Sequence, residues 1–182
     1  GRMGVNPKFL THCSQVVAAE ASQTNDDILV FLPGVGEIEQ VRQLLNPQVG
    51  DDVEILSLHG QLSGPEQDRI FSPSAKQRVI LTTAIAESSL TVPKVRTVVD
   101  ASLAREPRLD VRRGISQLVT LPASRARLAQ RAGRAARLGP GRAIRLIDKV
   151  DYARRPAHSQ PQIATSQLTN MRLQAAVWGA KN

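Results

Sequence analysis

Short apolar runs alternate with helical patterns through the first half of the chain. Strands are predicted at 28–32, 53–58, 78–83 and 95–100. Helices are predicted at 9–22 and 38–45 from apolar residues spaced three or four apart, and at 63–71 from a capping box of Ser63 and Glu66. Residues 28–32 are continuously apolar, as in a strand buried on both faces. This alternation predicts a parallel sheet covered by helices on both faces.

The pattern changes after residue 103. Two segments, 105–110 and 116–121, flank Arg112-Arg113-Gly114, which has the composition of a turn, and predict a long β-hairpin projecting from the sheet. A basic helix is predicted at 124–137 and a last core strand at 142–147. Residues 153–162 are polar, and an amphipathic helix over 168–178 closes the chain with an apolar face, which we interpret as the start of a further domain.

The basic helix separates into two faces. At about 100° per residue, Gln130, Arg134 and Arg137 fall within roughly 60° of one another, with Arg127 on the same side. The opposite side carries Leu128, Ala129, Ala132, Ala135 and Ala136. Guanidinium groups suit phosphate, because two N–H donors match two oxygens and the charge does not titrate away. A solvated basic helix is the simpler alternative, but the glutamine among the arginines favours a specific phosphate site.

Charge and composition narrow the class of partner. The chain has 182 residues, 41% of them hydrophobic, and a net charge of +8. Eleven arginines lie between Leu103 and Arg145, against Glu106 and Asp110 alone, which points to a polyanion. The single cysteine, Cys13, fits a reducing compartment, and the sequence has no apolar run of membrane-spanning length. We therefore expect a cytoplasmic protein with no membrane partner and no metal ligands of its own.

Several polar or glycine-containing segments lie at the ends of predicted strands or directly after them. They are Leu32-Pro33-Gly34, His59-Gly60, Thr82-Thr83 and Asp100. In open parallel sheets, ligands bind at this edge, and a strand-to-helix junction with free N–H groups suits phosphate. Gly34-Val35-Gly36 does not continue as a dinucleotide fingerprint, because the third glycine position holds Glu39. This pattern excludes a Rossmann-type oxidoreductase, and no P-loop sequence is present.

Taken in order, these motifs resemble the second RecA-like domain of DEAH-type helicases. The matching segments are 31–38 (motif IV), 58–62 with Glu66-Gln67, 83–91 (motif V), 98–100 and 130–137 (motif VI). The resemblance covers roughly residues 26–150, after a linker and leading helix at 1–25. Residues 151–182 resemble a connector and the start of a truncated winged-helix region. The resemblance implies an α/β fold: a RecA-like parallel sheet flanked by helices, with a projecting β-hairpin at about 103–122.

The resemblance also implies a role for each matching residue toward ATP. Gln130, Arg134 and Arg137 would face the γ-phosphate, with Arg137 as an arginine finger. Asp100 would lie near the ribose and Phe71 would stack on the adenine.

Other matching residues are implied in nucleic-acid binding. Gly34, Gly60, Thr83, Arg105, Arg112 and Arg113 would contact nucleic acid. Ser88 and Ser89 are implied among the cofactor-binding residues and would lie between the nucleotide and nucleic-acid sites.

The implied partners are single-stranded nucleic acid and the first RecA-like domain of the same protein. That domain carries the P-loop and DEAH box and would bind most of the ATP and Mg²⁺. Two positions depart from the family motifs: Ala84 replaces an asparagine, and Ala136 replaces a glycine. We expect weaker nucleic-acid contact from Ala84, and an unchanged arginine face because Ala136 projects to the packed side. The alternative function is a non-catalytic nucleic-acid-binding α/β module, which would have no need of Gln130 beside a finger arginine.

Overall fold

A five-stranded parallel sheet forms the centre of the computed structural model, which describes residues 4–87, 92, 94–110, 115–137, 139–159 and 177–178. The strands of the molecule are β1 (Asp27–Phe31), β2 (Val53–Leu58), β3 (Gln77–Thr82), β4 (Val95–Asp100), β5 (Leu103–Asp110), β6 (Ile115–Pro122) and β7 (Arg142–Arg145). The sheet has the order β2-β3-β1-β4-β7, and β5 pairs with β6 in a separate antiparallel ribbon. The predicted parallel sheet and the predicted hairpin are both confirmed.

Helices cover both faces of this sheet. They are α1 (Pro7–Ala21), α2 (Val35–Leu45), α3 (Gly64–Phe71), α4 (Arg125–Ala132) and α5 (Lys149–Arg154), with 3₁₀ turns at Asn46–Gln48 and Ala84–Glu87. Ile28 and Val30 of β1 pack in the core cluster that contains α1 and α2, while Leu29 and Phe31 pack in the cluster on the other face. Every residue of β1 is buried, as the continuous apolar run predicted.

A buried ion pair fixes the start of the sheet. Arg78 of β3 donates to the Asp27 carboxylate from Nη2 at 2.6 Å and from Nε at 2.9 Å, and both side chains are 1% exposed. The same guanidinium donates to the carbonyls of Ile70 and Ser72. Four charge-assisted bonds thus join the beginning of β1 and β3 to the end of α3.

The carboxyl ends of β1, β2, β3 and β4 are level with one another. Phe31 of β1 pairs in register with Thr82 of β3 and with Asp100 of β4. Leu58 of β2 is level with the same Thr82. Because the strands are parallel, the loops that follow them lie along one edge of the sheet, where ligands bind in folds of this kind.

The hairpin begins two residues after β4. Its register runs from Leu103 opposite Pro122 to Asp110 opposite Ile115, and the predicted turn at 111–114 lies outside the described residues. Ser102, fully buried with a φ of 58°, redirects the chain from the sheet into the hairpin. Its N–H donates to Asp100 Oδ1 at 2.8 Å, which stabilises this left-handed conformation locally.

The basic helix is shorter than predicted. α4 ends at Ala132, and the following residues form turns in which Arg134 N–H donates to the Arg131 carbonyl and Ala135 N–H to the Ala132 carbonyl. Ala135 is buried as expected, whereas Ala136 is exposed, so the prediction that Ala136 packs on the sheet is wrong. The helical projection fails there because it assumed a regular helix to residue 137.

Two other boundaries differ from the prediction. β7 ends at Arg145 rather than at residue 147, where Ile147 N–H turns back to the Arg145 carbonyl. α5 was not predicted; Asp148 caps it by accepting from Asp151 N–H at 2.7 Å. The predicted helix at 168–178 lies outside the described residues except for 177–178. Within the described ranges, no helix has both the length and the apolar character to cross a membrane.

Candidate functional site

A cleft of about 490 Å³ opens at the edge where β1, β2 and β3 end. Its walls are the loops that follow these strands and the base of the hairpin. Four of the residues predicted to contact nucleic acid line this cleft together: Gly34, Gly60, Thr83 and Arg105. Arg112 and Arg113, predicted for the same role, lie outside the described residues.

Arg105 lies directly over Gly34 at the floor of this cleft, so a side chain at position 34 would displace the Arg105 guanidinium. A Cβ placed on Gly34 would be 2.2 Å from Arg105 Nη1 and 2.8 Å from Glu37 Oε2. Gly34 has extended backbone angles, which any residue adopts, so only the space taken by neighbouring side chains disfavours a larger residue there. A side chain at position 60 would meet no such contact, since the nearest atom to the Gly60 Cβ position is Ile85 Cδ1 at 4.0 Å.

Arg105 is held in place by an acidic residue of α2. Its Nη2 lies 2.9 Å from Glu37 Oε1 and 3.4 Å from Thr120 Oγ1. Glu37 is 8% exposed at its side chain, while Arg105 is 31% exposed. Arg105 therefore retains an open side toward the cleft, and the first N–H groups of α2, whose N-cap residue Gly34 provides no side-chain cap, lie beside it. Cationic and N–H donors together suit a phosphate group.

A second arginine, which also lines the cleft, is almost completely buried. Arg131 is 1% exposed, and its Nε and Nη2 each lie 2.8 Å from Glu87 Oε1. Its Nη1 donates to Asp100 Oδ1 at 2.8 Å and to the Leu103 carbonyl at 3.0 Å, and its Cζ lies 5.1 Å from the centre of the Phe31 ring. Arg131 thus joins β1, β4, the hairpin and the 3₁₀ turn in one charged cluster.

Glu87 binds four side chains of the α4 region. Its carboxylate accepts from Arg131 and, through Oε2 at 3.1 Å, from Arg127. Its main-chain carbonyl accepts from Gln130 Nε2 at 3.0 Å and from Arg134 Nη2. Segment 83–91 and segment 130–137 are therefore in direct contact through this one residue.

The residues predicted to face the γ-phosphate lie at the end of α4 and in the turns after it. Gln130 and Arg137 are exposed, and Arg134 is 7% exposed. Burial, together with the neighbouring charge of Arg137, lowers the pKa of Arg134 from its usual high value. Arg134 keeps its charge at neutral pH, as guanidinium groups do.

Asp100 lies inside the fold and not at its surface. Its side chain is bound by Arg131 and by Ser102 N–H, and burial raises the pKa of its carboxyl although Arg131 opposes that shift. Its Oδ2 has no hydrogen-bond partner among the described residues. The predicted contact between Asp100 and a ribose stays a prediction.

Three further residues, Phe71, Ser88 and Ser89, are predicted on the nucleotide side of the site. Phe71 is half-buried at the end of α3, against the core cluster that contains Phe31, and its stacking on an adenine stays a prediction. Ser88 and Ser89 lie outside the described residues. In the described part of the chain, no group of three or more His, Cys, Asp or Glu side chains is placed to hold a metal ion.

Sequence reasoning missed Glu87 and Arg131. One signal was available: Glu87 is the only acidic residue between Asp68 and Asp100. An isolated acid next to a segment rich in small and apolar residues suggests a buried partner of opposite charge. Arg131 gave no such signal, and the helical projection assigned it to neither face.

Comparisons with known proteins agree with this architecture. A family model described as "Helicase conserved C-terminal domain" matches residues 8–139. The chain is 40% identical over 162 residues to the ATP-dependent RNA helicase HrpB of Escherichia coli (strain K12), an alignment that covers 88% of this chain and 20% of that protein. It is 36% identical over 159 residues to the ATP-dependent RNA helicase HrpA of the same organism, covering 87% of this chain and 12% of HrpA.

Solved structures show the same fold. The crystal structure of the E. coli DEAH/RHA helicase HrpB superposes with a TM-score of 0.90 at 38% identity, over 96% of this chain and 22% of that one. A crystal structure of the E. coli DExH-box NTPase HrpB gives a TM-score of 0.88 at 36% identity, over 100% of this chain and 22% of that one. The chain thus spans about a fifth of the length of these HrpB relatives.

Proposed function

The chain belongs to the helicase conserved C-terminal domain family and is the second RecA-like domain of a DEAH-type helicase, and from this premise we propose its part in the reaction. In the proposal, the domain supplies one wall of an ATP site and half of a channel for single-stranded nucleic acid. The complete enzyme is an ATP-dependent helicase, and RNA is the substrate we propose because relatives are named RNA helicases.

The observation that carries the proposal is the convergence of four predicted residues on one cleft. Gly34, Gly60 and Thr83 follow three different strands, and Arg105 comes from the hairpin. Main-chain N–H groups and one partly exposed guanidinium at this edge bind phosphates without reading bases. Such a site tracks a single strand with little sequence preference.

The ATP wall is the second part of the proposal. In the proposal Gln130, Arg134 and Arg137 face the γ-phosphate, and Arg137 stabilises the charge of the transferring phosphoryl group. Asp100 and Phe71 belong to the ribose and adenine side of this wall, and Ser88 and Ser89 to the segment between the two sites. The P-loop domain, outside this chain, holds most of the ATP and its Mg²⁺.

The test is ATP hydrolysis by the complete helicase that contains this chain. Arg137→Ala is expected to lower the RNA-stimulated rate by roughly a thousandfold, the low end of the range for arginine fingers. Arg125→Ala is the control, because Arg125 is an exposed arginine of the same basic segment and should leave the rate unchanged. The chain by itself should show no turnover, because it has no P-loop.

The same assay separates the proposal from the alternative of a non-catalytic binding module. A module without coupled chemistry would bind RNA but would leave ATP hydrolysis by the complete protein insensitive to both RNA and Arg137→Ala. Turnover by the chain alone that Arg137→Ala abolishes would also contradict the proposal, since it would place a whole ATP site within this domain.

A further inference from the structure

We propose that Glu37 selects RNA over DNA by accepting a hydrogen bond from a ribose 2′-hydroxyl. The contact is made in the cleft lined by Gly34, Gly60, Thr83 and Arg105, called here the nucleic-acid cleft. The inference rests on the function proposed above and names the residue that determines which chemical class of strand this cleft prefers.

One oxygen of the Glu37 carboxylate is unused. Oε1 accepts from Arg105 Nη2 at 2.9 Å, whereas Oε2 is buried and has no hydrogen-bond partner among the described residues. A buried acceptor without a donor costs free energy, and nearly all buried polar atoms of folded proteins have a partner. A ligand that brings a donor to this oxygen removes that cost, and its binding is strengthened accordingly.

Glu37 Oε2 and the Arg105 guanidinium share the space above Gly34, a residue of the cleft floor. A Cβ on Gly34 would be 2.8 Å from Oε2 and 2.2 Å from Arg105 Nη1. Arg105 is 31% exposed, and a phosphate bound to its exposed side draws this long side chain outward. That movement gives the sugar beside the phosphate access to Oε2.

The chemistry of a carboxylate decides which group of a nucleic acid it binds. An ionised carboxylate accepts hydrogen bonds and donates none, and it repels the like charge of a phosphate. Within a sugar–phosphate backbone the only donor is the 2′-hydroxyl, which RNA has and DNA lacks. Glu37 therefore finds a backbone partner in RNA alone, while Arg105 and the first N–H groups of α2 bind the phosphate.

The lining of the cleft favours the sugar over a base as the source of this donor. None of the described residues that line the cleft is Phe, Tyr or Trp, the side chains on which the bases of single strands stack. An amino group of a base is the alternative donor, and strands that differ only at the sugar separate the two.

The test is the affinity of the complete helicase for one single-stranded sequence made as RNA, as DNA and as 2′-fluoro RNA. Fluorescence anisotropy without added nucleotide measures it. The 2′-fluoro strand keeps the sugar conformation of RNA but has no hydroxyl to donate. We expect RNA to bind about tenfold more tightly than the other two strands, the effect of one charge-assisted hydrogen bond. If 2′-fluoro RNA binds as tightly as RNA, the inference is overturned.

Glu37→Met assigns this preference to Glu37. Methionine has a similar length and helix propensity but no oxygen to accept the hydroxyl. The ratio of RNA affinity to DNA affinity should fall to about one. If Glu37 only holds Arg105 in place, both affinities fall together and the ratio stays that of the unaltered helicase, which also overturns the inference. Should this variant fail to fold, the comparison of RNA with 2′-fluoro RNA still decides.

Glu39→Met is the matched control. Glu39 belongs to the same helix, but its carboxylate is exposed and already accepts from Arg42 and Gln43. Its ratio should equal that of the unaltered helicase. A helicase that binds neither RNA nor DNA, or binds both independently of salt, contradicts the proposed function itself. Salt-dependent binding with equal affinity for RNA and DNA contradicts only the role of Glu37.

Discussion

Arg105 and Arg131 show how different two arginines of one basic segment can be. Arg131 is 1% exposed and fully occupied by two carboxylates, a carbonyl and the Phe31 ring. Arg105 is 31% exposed and is paired with the Glu37 carboxylate. Its exposed side is available for the phosphate contact proposed above, whereas Arg131 serves the fold. The number of arginines in the sequence therefore overstates the number that can bind a ligand.

Gly34→Val tests whether Arg105 must lie over the cleft floor. The new side chain would occupy the space of the Arg105 guanidinium, whose Nη1 would be 2.2 Å from the added Cβ. We expect RNA affinity of this chain to fall by roughly tenfold, the effect of losing one charge-assisted contact worth about 1.5 kcal/mol. Fluorescence anisotropy with a labelled single-stranded RNA measures it.

Gly36→Ala is the control for this substitution. Gly36 lies in α2, lines the same cleft, and has no atom within 4 Å of its Cβ position. Its affinity should not change, while the melting temperature should rise because alanine is the better helix former by up to about 1 kcal/mol. Equal loss of affinity in both variants would show that Arg105 is not the cause.

The sequence identified single residues well where a motif marked them and poorly where burial decided. Gly34, Gly60 and Thr83 each follow a strand, so their place at one edge could be predicted. The burial of Arg131 could not, because it depends on Glu87 and Asp100, which are 44 and 31 positions earlier in the chain. No local pattern reports a partner at that separation.

At the scale of elements, one buried ion pair joins β1, β3 and α3. Arg78 and Asp27 are each 1% exposed, and Arg78 also binds two carbonyls at the end of α3. An ion pair of this kind adds little net stability over an apolar pair, but removal of one partner leaves a buried charge.

Asp27→Ala should therefore destabilise the chain by about 3–5 kcal/mol, because Arg78 would stay buried without its carboxylate. Urea unfolding followed by circular dichroism measures the change. Glu39→Gln is the control: it removes a carboxylate from the Arg42–Glu39 pair, where the side chains are 50% and 45% exposed, and should leave the midpoint unchanged. If Asp27→Ala unfolded at the same urea concentration as the unaltered chain, this account of the sheet would be contradicted.

Most helices and strands could be predicted from the local sequence pattern, but the residues at which they end could not always be predicted. β1 was recognisable from a run of apolar residues and α3 from its capping box, in which Glu66 accepts from Ser63 N–H at 3.0 Å. The end of α4 at Ala132 was missed, because the chain there is turned by tertiary contacts: Arg134 reaches the Glu87 carbonyl and Gly141 passes close to Ala135. These contacts override a helical pattern that continues to residue 137.

At the scale of the whole molecule, charge is the property that sets nucleic-acid binding. The net charge is +8, and the arginines are concentrated after residue 103. Affinity of this chain for single-stranded RNA should fall steeply with salt, with a slope of log affinity against log salt of about −0.7 for each phosphate contacted. Anisotropy titrations over a series of potassium chloride concentrations measure this slope.

An oligonucleotide with uncharged methylphosphonate linkages serves as the control for the salt series. It should bind weakly at every salt concentration, since it releases no counterions. Equal affinity for the charged RNA at low and high salt would show that the cleft does not track phosphates.

The sequence could predict the class of the sheet, but not the order of its strands. Alternating strands and helices predict a parallel sheet, but the order β2-β3-β1-β4-β7 is set by which faces bury which residues, and local pattern does not contain it. The RecA-like identity came from motif order, which carries information about the whole molecule that no single strand or helix has.

The Arg131 cluster also constrains how the protein is made. Synthesis proceeds from the amino terminus, so Glu87 and Asp100 leave the ribosome before Arg131 does. Until Arg131 has emerged, closing that edge of the sheet would bury two carboxylates without their cation, at a cost on the order of several kcal/mol for each ion. We therefore expect the nascent chain to complete this edge only after the hairpin and α4 have left the exit tunnel.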